Sequence, residues 1–372
     1  IMLYNILDKM CKSKGSVEIK MPILDFNNKK DVEEYESFVL NRKGSSFMQD
    51  LNWGKVKNNW KHEAIYLKEN GNIIATMMIL IQKLPHTNVS LMYAPRGPVC
   101  DIYDIDLVNK LIKEADPLAK KYNAFALKFD PQVLYDKKLD DIYINAGYKT
   151  SGYKPSGDNL IQPSHNMVLN IENKTEEELM KGFAEKTRYN IRLSKRKGVT
   201  VRYSRSLGDL KTFYDIYKVT TIRDKIGCRD YDYFERMLDA YDESKLRIYI
   251  AEHDGDKLSA AIATNVGGEL FYVYGASSNE KRNLMPNYAM QMEMIRWGIE
   301  TGCSTYNFGG VLNLSPDNGL YKFKVGFCKE EGLEEYIGEI NKVYKPFMFF
   351  LYNKVLPIIR VGGRKLRRLK TH

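Results

Sequence analysis

The stretch TTIRDKIGCRDYDYF, residues 220–234, brings Arg223 and Arg229 close in sequence to Tyr231 and Tyr233. A guanidinium binds phosphate through paired N–H donors, and a neighbouring phenol can add one more, so the pattern suits an anion site. A second stretch, FMQDLNWGKVKNNW at 47–60, sets two tryptophans beside Lys55 and Lys57, with Lys61 following. Aromatics with lysines can hold a phosphorylated ligand, but the same spacing also describes a helix with one core face. In GLYKFKVGF (319–327), Lys322 and Lys324 alternate with Tyr321, Phe323 and Val325. That alternation predicts a strand with both lysines on one face, which is either a ligand surface or plain solvent.

FALKFDP (125–131) leaves Asp130 at a strand end just before a proline. A carboxylate there can orient or deprotonate an amine, or it only caps the turn. Arg96 lies in YAPRGP (93–98), where two prolines and a glycine predict a rigid turn, so it either reaches an anion or serves the turn alone. Lys181, Lys186, Arg188, Arg192, Lys195, Arg196 and Lys197 fall within one helical region, 175–198, with Thr175 as N-cap and Gly198 as the closing glycine. The run is a solvated helix face or an RNA or phosphate surface.

These residues need a scaffold, and the chain carries one twice. Ile65-Tyr66-Leu67 and Ile248-Tyr249-Ile250 each lead through a glycine (Gly71, Gly255) to a second alternating run, which predicts two β-hairpins. Each hairpin is preceded by a helical segment (31–41, 209–221) and followed by an aromatic strand (91–93, 270–274). A helix then follows (105–122, 287–301), and last a strand ending in Phe and a turn (124–130, 305–310). The periodicity predicts a tandem duplication of one α/β module. SGYKPSGDNLIQP (151–163) is the linker, with the domain junction near Pro163. Residues 1–20 are read as an N-terminal extension or an expression remnant, with Met21 resembling a true beginning.

At 372 residues and 44% apolar composition the chain is long enough for two or three packed domains, and its net charge of +10 favours an anionic partner. The five cysteines lack any CxxC pair and the five histidines any HExxH, so no metal is expected. No signal peptide and no run of about twenty apolar residues appears, which predicts a cytoplasmic protein. The tail, 346–372, is apolar then basic; it either lies peripherally on anionic lipid or packs on the body.

Together these stretches resemble the Fem (FemABX) family of peptidoglycan-bridge aminoacyltransferases, in particular its short FemX-like members without a coiled-coil arm. The motifs are QDLNWGKVKNNW, APRGPV, KFDP, KTRYNIRLSKRKGV, RDYDYFERM, YVYGAS, FGG, LYKFKVGF and YIGEINKVY, spread over residues 21–345. The resemblance implies an α/β (α+β) fold of two tandem GCN5-related acetyltransferase-like domains with a cleft between them. Residues 21–163 plus about 336–345 would form the first and 164–335 the second. It implies transfer of an amino acid from aminoacyl-tRNA to the side-chain amine of the third stem-peptide residue of a peptidoglycan precursor, either UDP-linked or of the lipid II type. Lys57 and Arg229 match positions that bind the precursor's diphosphate; Tyr233, Tyr274 and Phe323 fall among its further contacts. Lys324 matches the catalytic lysine, and Asp130 a carboxylate near the acceptor amine. Phe125 stands where close relatives carry a tyrosine near the acceptor site. Lys186, Arg188, Arg192 and Lys195 would meet the tRNA. Neither copy has the Gly-rich turn that holds coenzyme A, so no cofactor is expected. A catalytically idle protein that grips precursor or tRNA, and a transferase with a non-peptidoglycan acceptor, share the signature.

Overall fold

The computed structural model describes residues 22–153 and 160–355; the extension at 1–20, the middle of the linker and the basic end of the tail lie outside them. In the first half, helices α1 (Lys29–Asn41) and α2 (Leu51–Val56) precede a hairpin of β1 (Lys61–Glu69) and β2 (Asn72–Lys83). Asn70 and Gly71 both take positive φ, 51° and 83°, the two-residue turn whose twist matches antiparallel strands. Then come β3 (Ser90–Ala94), α3 (Ile105–Glu114), α4 (Asp116–Lys121), β4 (Ala124–Phe129), α5 (Lys137–Asn145) and β5 (Lys149–Thr150). The predicted single helix at 105–122 is two, because Pro117 has no N–H to continue the ladder.

The second half starts with β6 (His165–Asn170), α6 (Glu176–Gly182), α7 (Glu185–Arg196) and β7 (Thr200–Ser204). Thr175 caps α6 through a reciprocal bond with Glu178, but extended backbone at Phe183 splits the predicted 175–198 helix from α7. Helices α8 (Leu207–Asp224) and α9 (Tyr231–Ala240) lead to the hairpin of β8 (Leu246–His253) and β9 (Asp256–Val266), turned at Asp254-Gly255 with φ of 49° and 84°. β10 (Glu269–Ser277), α10 (Pro286–Glu300), β11 (Thr305–Gly310), α11 (Gly319–Cys328), β12 (Leu333–Glu335), β13 (Ile340–Val343) and α12 (Pro346–Phe350) follow within the described residues.

Two sheets result, ordered β1-β2-β3-β4-β13-β5 and β12-β6-β11-β10-β9-β8-β7. In each, one parallel pair (β3–β4, β10–β11) is joined through helices, as the duplication predicts. The strand beside that pair is exchanged: β13, late in the chain, pairs with β4, while β6, just after the linker, pairs with β11. β10 pairs with β11 only over Glu269–Phe271 yet continues along β9 to Ser277, so the two parallel strands part at their C-terminal ends. Ligands of open α/β sheets bind at such an opening.

One apolar cluster crosses between the halves, joining Tyr35, Phe47, Trp53 and Val56 to Phe213, Tyr233, Phe234, Tyr241 and Ile262. Each buried side chain of this size contributes about 1.5–3 kcal/mol, so the halves are cemented by hydrophobic burial. The start of the tail packs on the first sheet: Met348, Phe349 and Tyr352 cover Val89, Leu91 and Phe125, while Phe347 and Phe350 stay exposed. No helix among the described residues is long and apolar enough to cross a membrane.

Candidate functional site

The cross-domain core brings two distant cations to one aromatic ring. α2 and α9 pack together with Trp53 set edge-on to Tyr233, ring centroids 6.5 Å apart. Lys57, at the C-terminal cap of α2, places Nζ 5.3 Å from the Tyr233 ring and 4.8 Å from that of Trp53. Arg229, in the loop before α9, holds its guanidinium 5.2 Å from the same Tyr233 ring. Tyr274 on β10 donates its hydroxyl to that of Tyr233 at 3.1 Å. Burial, and then the like charge of Arg229, push the Lys57 ammonium down to about 8. Two cations over one tyrosine ring, with hydroxyls beside them, suit an anion as occupant. Arg223 takes no part, because it is spent on Ser277 O at 3.0 Å, Asn279 and Asp224.

Lys324 corrects the strand expected at 319–327. The segment is helix α11, capped by Asn318, which accepts from the N–H of Tyr321. Alternation of lysines with apolar residues over so short a run also satisfies a helix, since Phe323 and Phe327 meet edge to face at i and i+4, ring centroids 5.4 Å apart. The two lysines therefore diverge: Lys322 faces solvent beside Asp317, whereas Lys324 is 4% exposed. Its Nζ donates to Gly309 O at 3.0 Å and Gly310 O at 2.9 Å, the turn that ends β11. Burial pushes this ammonium down to about 8. Phe323 packs on Tyr288 and Phe327 and helps seat the helix.

Asp130 sits at the end of β4 with both oxygens engaged, accepting from Tyr93 Oη at 2.7 Å and from the N–H of Arg96 at 2.7 Å. It thus holds the 93–98 turn, and Arg96 in turn donates to Pro163 O at 2.9 Å and lies over the Tyr336 ring. Burial raises the Asp130 carboxyl to about 6 from an ordinary value of 3.8. The native state therefore binds this proton more tightly than the unfolded chain, and stability falls as pH rises from about 4 to about 6. Asp130→Asn should remove that slope and leave the variant about 1–3 kcal/mol more stable at pH 7, less any cost of the altered contact with Tyr93. Urea unfolding at pH 4 and pH 7 checks this; equal stability differences at both pH values would refute it.

Phe125 is set apart from Asp130 in the fold. It lies at the opposite end of β4, five residues or about 16 Å from Asp130, fully buried against Tyr352 of the tail. An apolar ring suits that site, which needs no hydroxyl. Lys186, Arg192 and Lys195 line the exposed face of α7. Arg188 instead turns back to donate to Phe183 O at 2.6 Å, fastening the corner between α6 and α7. The buried face of α7 rests on α11: the N–H of Ala184 donates to Gly326 O at 2.9 Å, and a Cβ on Gly326 would collide with Thr187. The basic face and the lysine helix are thus one rigid unit.

Sequence reasoning missed the buried polar residues Asn166, Glu269 and Asn307, although a Glu and an Asn within strands otherwise apolar are a visible signal. Burial raises the Glu269 carboxyl to about 7. Among the described residues no cluster of His, Cys, Asp and Glu could hold a metal ion.

Two such sheets in tandem give the chain the fold of the tandem GNAT protein from the clavulanic acid biosynthesis pathway, which superposes with a TM-score of 0.50 at 9% identity, covering 86% of this chain and 97% of that one. More narrowly, the chain belongs to the FemAB family, whose family model matches residues 31–266 and 252–356. It is 37% identical to the UDP-N-acetylmuramoylpentapeptide-lysine N(6)-alanyltransferase of Weissella viridescens, over 88% of this chain and 98% of that one. It is 28% identical to the lipid II:glycine glycyltransferase of Staphylococcus epidermidis, over 90% of this chain and 97% of that one. Among solved structures the crystal structure of FemX superposes with a TM-score of 0.80 at 27% identity, covering 89% of this chain and 99% of that one.

Proposed function

We propose that the protein is a peptidoglycan cross-bridge aminoacyltransferase. It moves an amino acid from aminoacyl-tRNA to the side-chain amine of the third stem-peptide residue of a cell-wall precursor. The observation that carries the reading is the pair Lys57 and Arg229, both held over the Tyr233 ring. A diphosphate fits that pair, and the named relatives act on precursors of this kind.

With the diphosphate gripped there, the acceptor amine attacks the ester carbonyl of the charged tRNA. A C–N bond forms, the C–O bond to the terminal ribose breaks, the amine loses a proton to solvent, and the ribose oxygen leaves protonated. Lys324, as an ammonium, stabilises the oxyanion that develops in between. Asp130, ionised above about pH 6, keeps the 93–98 turn in place and attracts the cationic form of the acceptor side chain. The exposed cations Lys186, Arg192 and Lys195, rigidly docked on the helix of Lys324, meet the tRNA backbone.

The test is a transfer assay with a mixture of charged tRNAs, offering in parallel the UDP-linked muropeptide and its lipid-linked form. Labelled product on either acceptor is expected. No product on either, with precursor still bound, would replace this reading by that of an idle binding protein. Reversing Lys186, Arg192 and Lys195 to Glu together should raise KM for aminoacyl-tRNA by about tenfold or more and flatten its salt dependence. An unchanged salt slope would move the tRNA elsewhere.

A further inference from the structure

The two groups on which this chemistry turns lie on different domains, and a chain of hydrogen bonds joins their supports. Gln132, two residues beyond Asp130, donates from Nε2 to Glu269 Oε2 at 2.7 Å, across the domain boundary. The same carboxylate oxygen accepts from Asn307 Nδ2 at 2.9 Å. Asn307 Oδ1 then accepts from the N–H of Gly309 at 2.8 Å and from Asn166 Nδ2 at 3.1 Å. Gly309 and its neighbour Gly310 present to Lys324 the two carbonyls that seat its ammonium. Gly309 takes φ of 76°, which glycine adopts without steric cost, and glycine's backbone freedom leaves the turn to be fixed by its partners.

Asn307 and Glu269 are buried in strands whose neighbours are Leu270, Tyr306 and Phe308. Polar groups there cost stability unless every partner is in place, and an apolar pair would pack these positions more simply. Their geometry has one evident product, the fixed turn beneath Lys324.

We infer that Gln132, Glu269 and Asn307 are positioning residues. They lock the Gly309–Gly310 turn, and Lys324 with it, to the strand end of the other domain that carries Asp130. This rests on the proposed role of Lys324, so the test separates the lock from the chemistry. Lys324 is titrated by competitive acetic anhydride labelling, read by peptide mass, in wild type, Asn307→Ala and Gln132→Ala. Single-turnover transfer is measured in parallel.

Helix α11 stays docked through Gly326 in both variants, so the ammonium remains buried while its carbonyl acceptors drift. The other titratable group acting on Lys324 is Cys328, on the same helix, and both variants leave it in place. From a wild-type value near about 8, the labelling midpoint should fall by about one pH unit in Asn307→Ala, the shift equivalent to one lost charge-assisted hydrogen bond. Gln132→Ala should move it the same way by less. Transfer should slow in the same order, with KM for the precursor unchanged. A midpoint that stays put or rises in the variants overturns the lock even if transfer is normal. If Asn307→Ala does not fold, the half-buried Gln132 decides alone. A wild type that transfers nothing while the variants' midpoints shift as described would overturn the transferase reading and leave the lock standing.

Discussion

Lys324→Met should slow single-turnover transfer by about 10²–10³-fold while leaving precursor affinity and fold unchanged. The magnitude is that of removing one preorganised group from a developing oxyanion. Its selectivity follows from place: Lys324 lies on α11 of the second domain, and the Lys57–Arg229 pair lies where α2 meets α9. Folding should not suffer. With the ammonium pushed down to about 8, the unfolded chain binds this proton more tightly, so native stability rises with pH from about 8 to about 10.5 and carries the cost below that. Methionine removes a buried charge and fills a similar volume; it leaves Gly309 O and Gly310 O without their donor, an opposing cost of the same order. Wild-type transfer also has its own signature, because only the ammonium stabilises an oxyanion and the rate should decline as pH rises through about 8. A methionine variant that transfers at the wild-type rate would end the role of Lys324. A variant that is slow but melts early would show only that the helix was lost.

What the sequence made legible, and what it hid, follows from how local each feature is. Asn70-Gly71 and Asp254-Gly255 declare their hairpins within two residues, because only positive φ at both gives a turn with the right twist. The capping box at Thr175 and Glu178 is local as well. The repeated order of hairpin, strand, helix and strand was therefore readable before any contact was known. The exchange of β6 and β13 was not readable from periodicity, since either strand could pair in either sheet. It was expected in part from resemblance, through the return of residues near 340. The strand assigned to 319–327 failed because five residues of alternation satisfy both periods, and Asn318 as a cap was the overlooked signal. The surroundings of Phe125 were hidden because the tail that covers it is far away in sequence. That Arg188 fastens the corner between α6 and α7 was hidden, because charge runs do not reveal which member turns back to close a helix. The link from Gln132 through Glu269 to Asn307 consists of ordinary polar residues, unremarkable until folding brings them together.

Removing either cation of the Lys57–Arg229 pair should weaken the diphosphate-bearing acceptor by about 10–100-fold in KM, with kcat nearly constant, because each loses a charge-assisted hydrogen bond that ground state and transition state share. The double variant Lys57→Ala with Arg229→Ala should lose more than either single, but less than their product. In the free protein each cation destabilises the other, as the lowered Lys57 value reports, so deleting one relieves the other. The same repulsion predicts a pH effect. A bound diphosphate favours the charged form of Lys57, so binding above about pH 8 must take up a proton, and affinity should decline as pH rises through that value. Arg229→Ala should move that decline upward, because the like charge is gone and only burial still holds Lys57 down. Tyr233, the ring both cations lie over, is 6% exposed, so it would be left packing on Trp53 with its fold role intact. The decisive control is an acceptor without phosphate, the free stem pentapeptide, on which wild type and variants should be equally poor. If the variants lose as much on the free peptide as on the precursor, the pair supports the groove between the domains and does not hold a diphosphate.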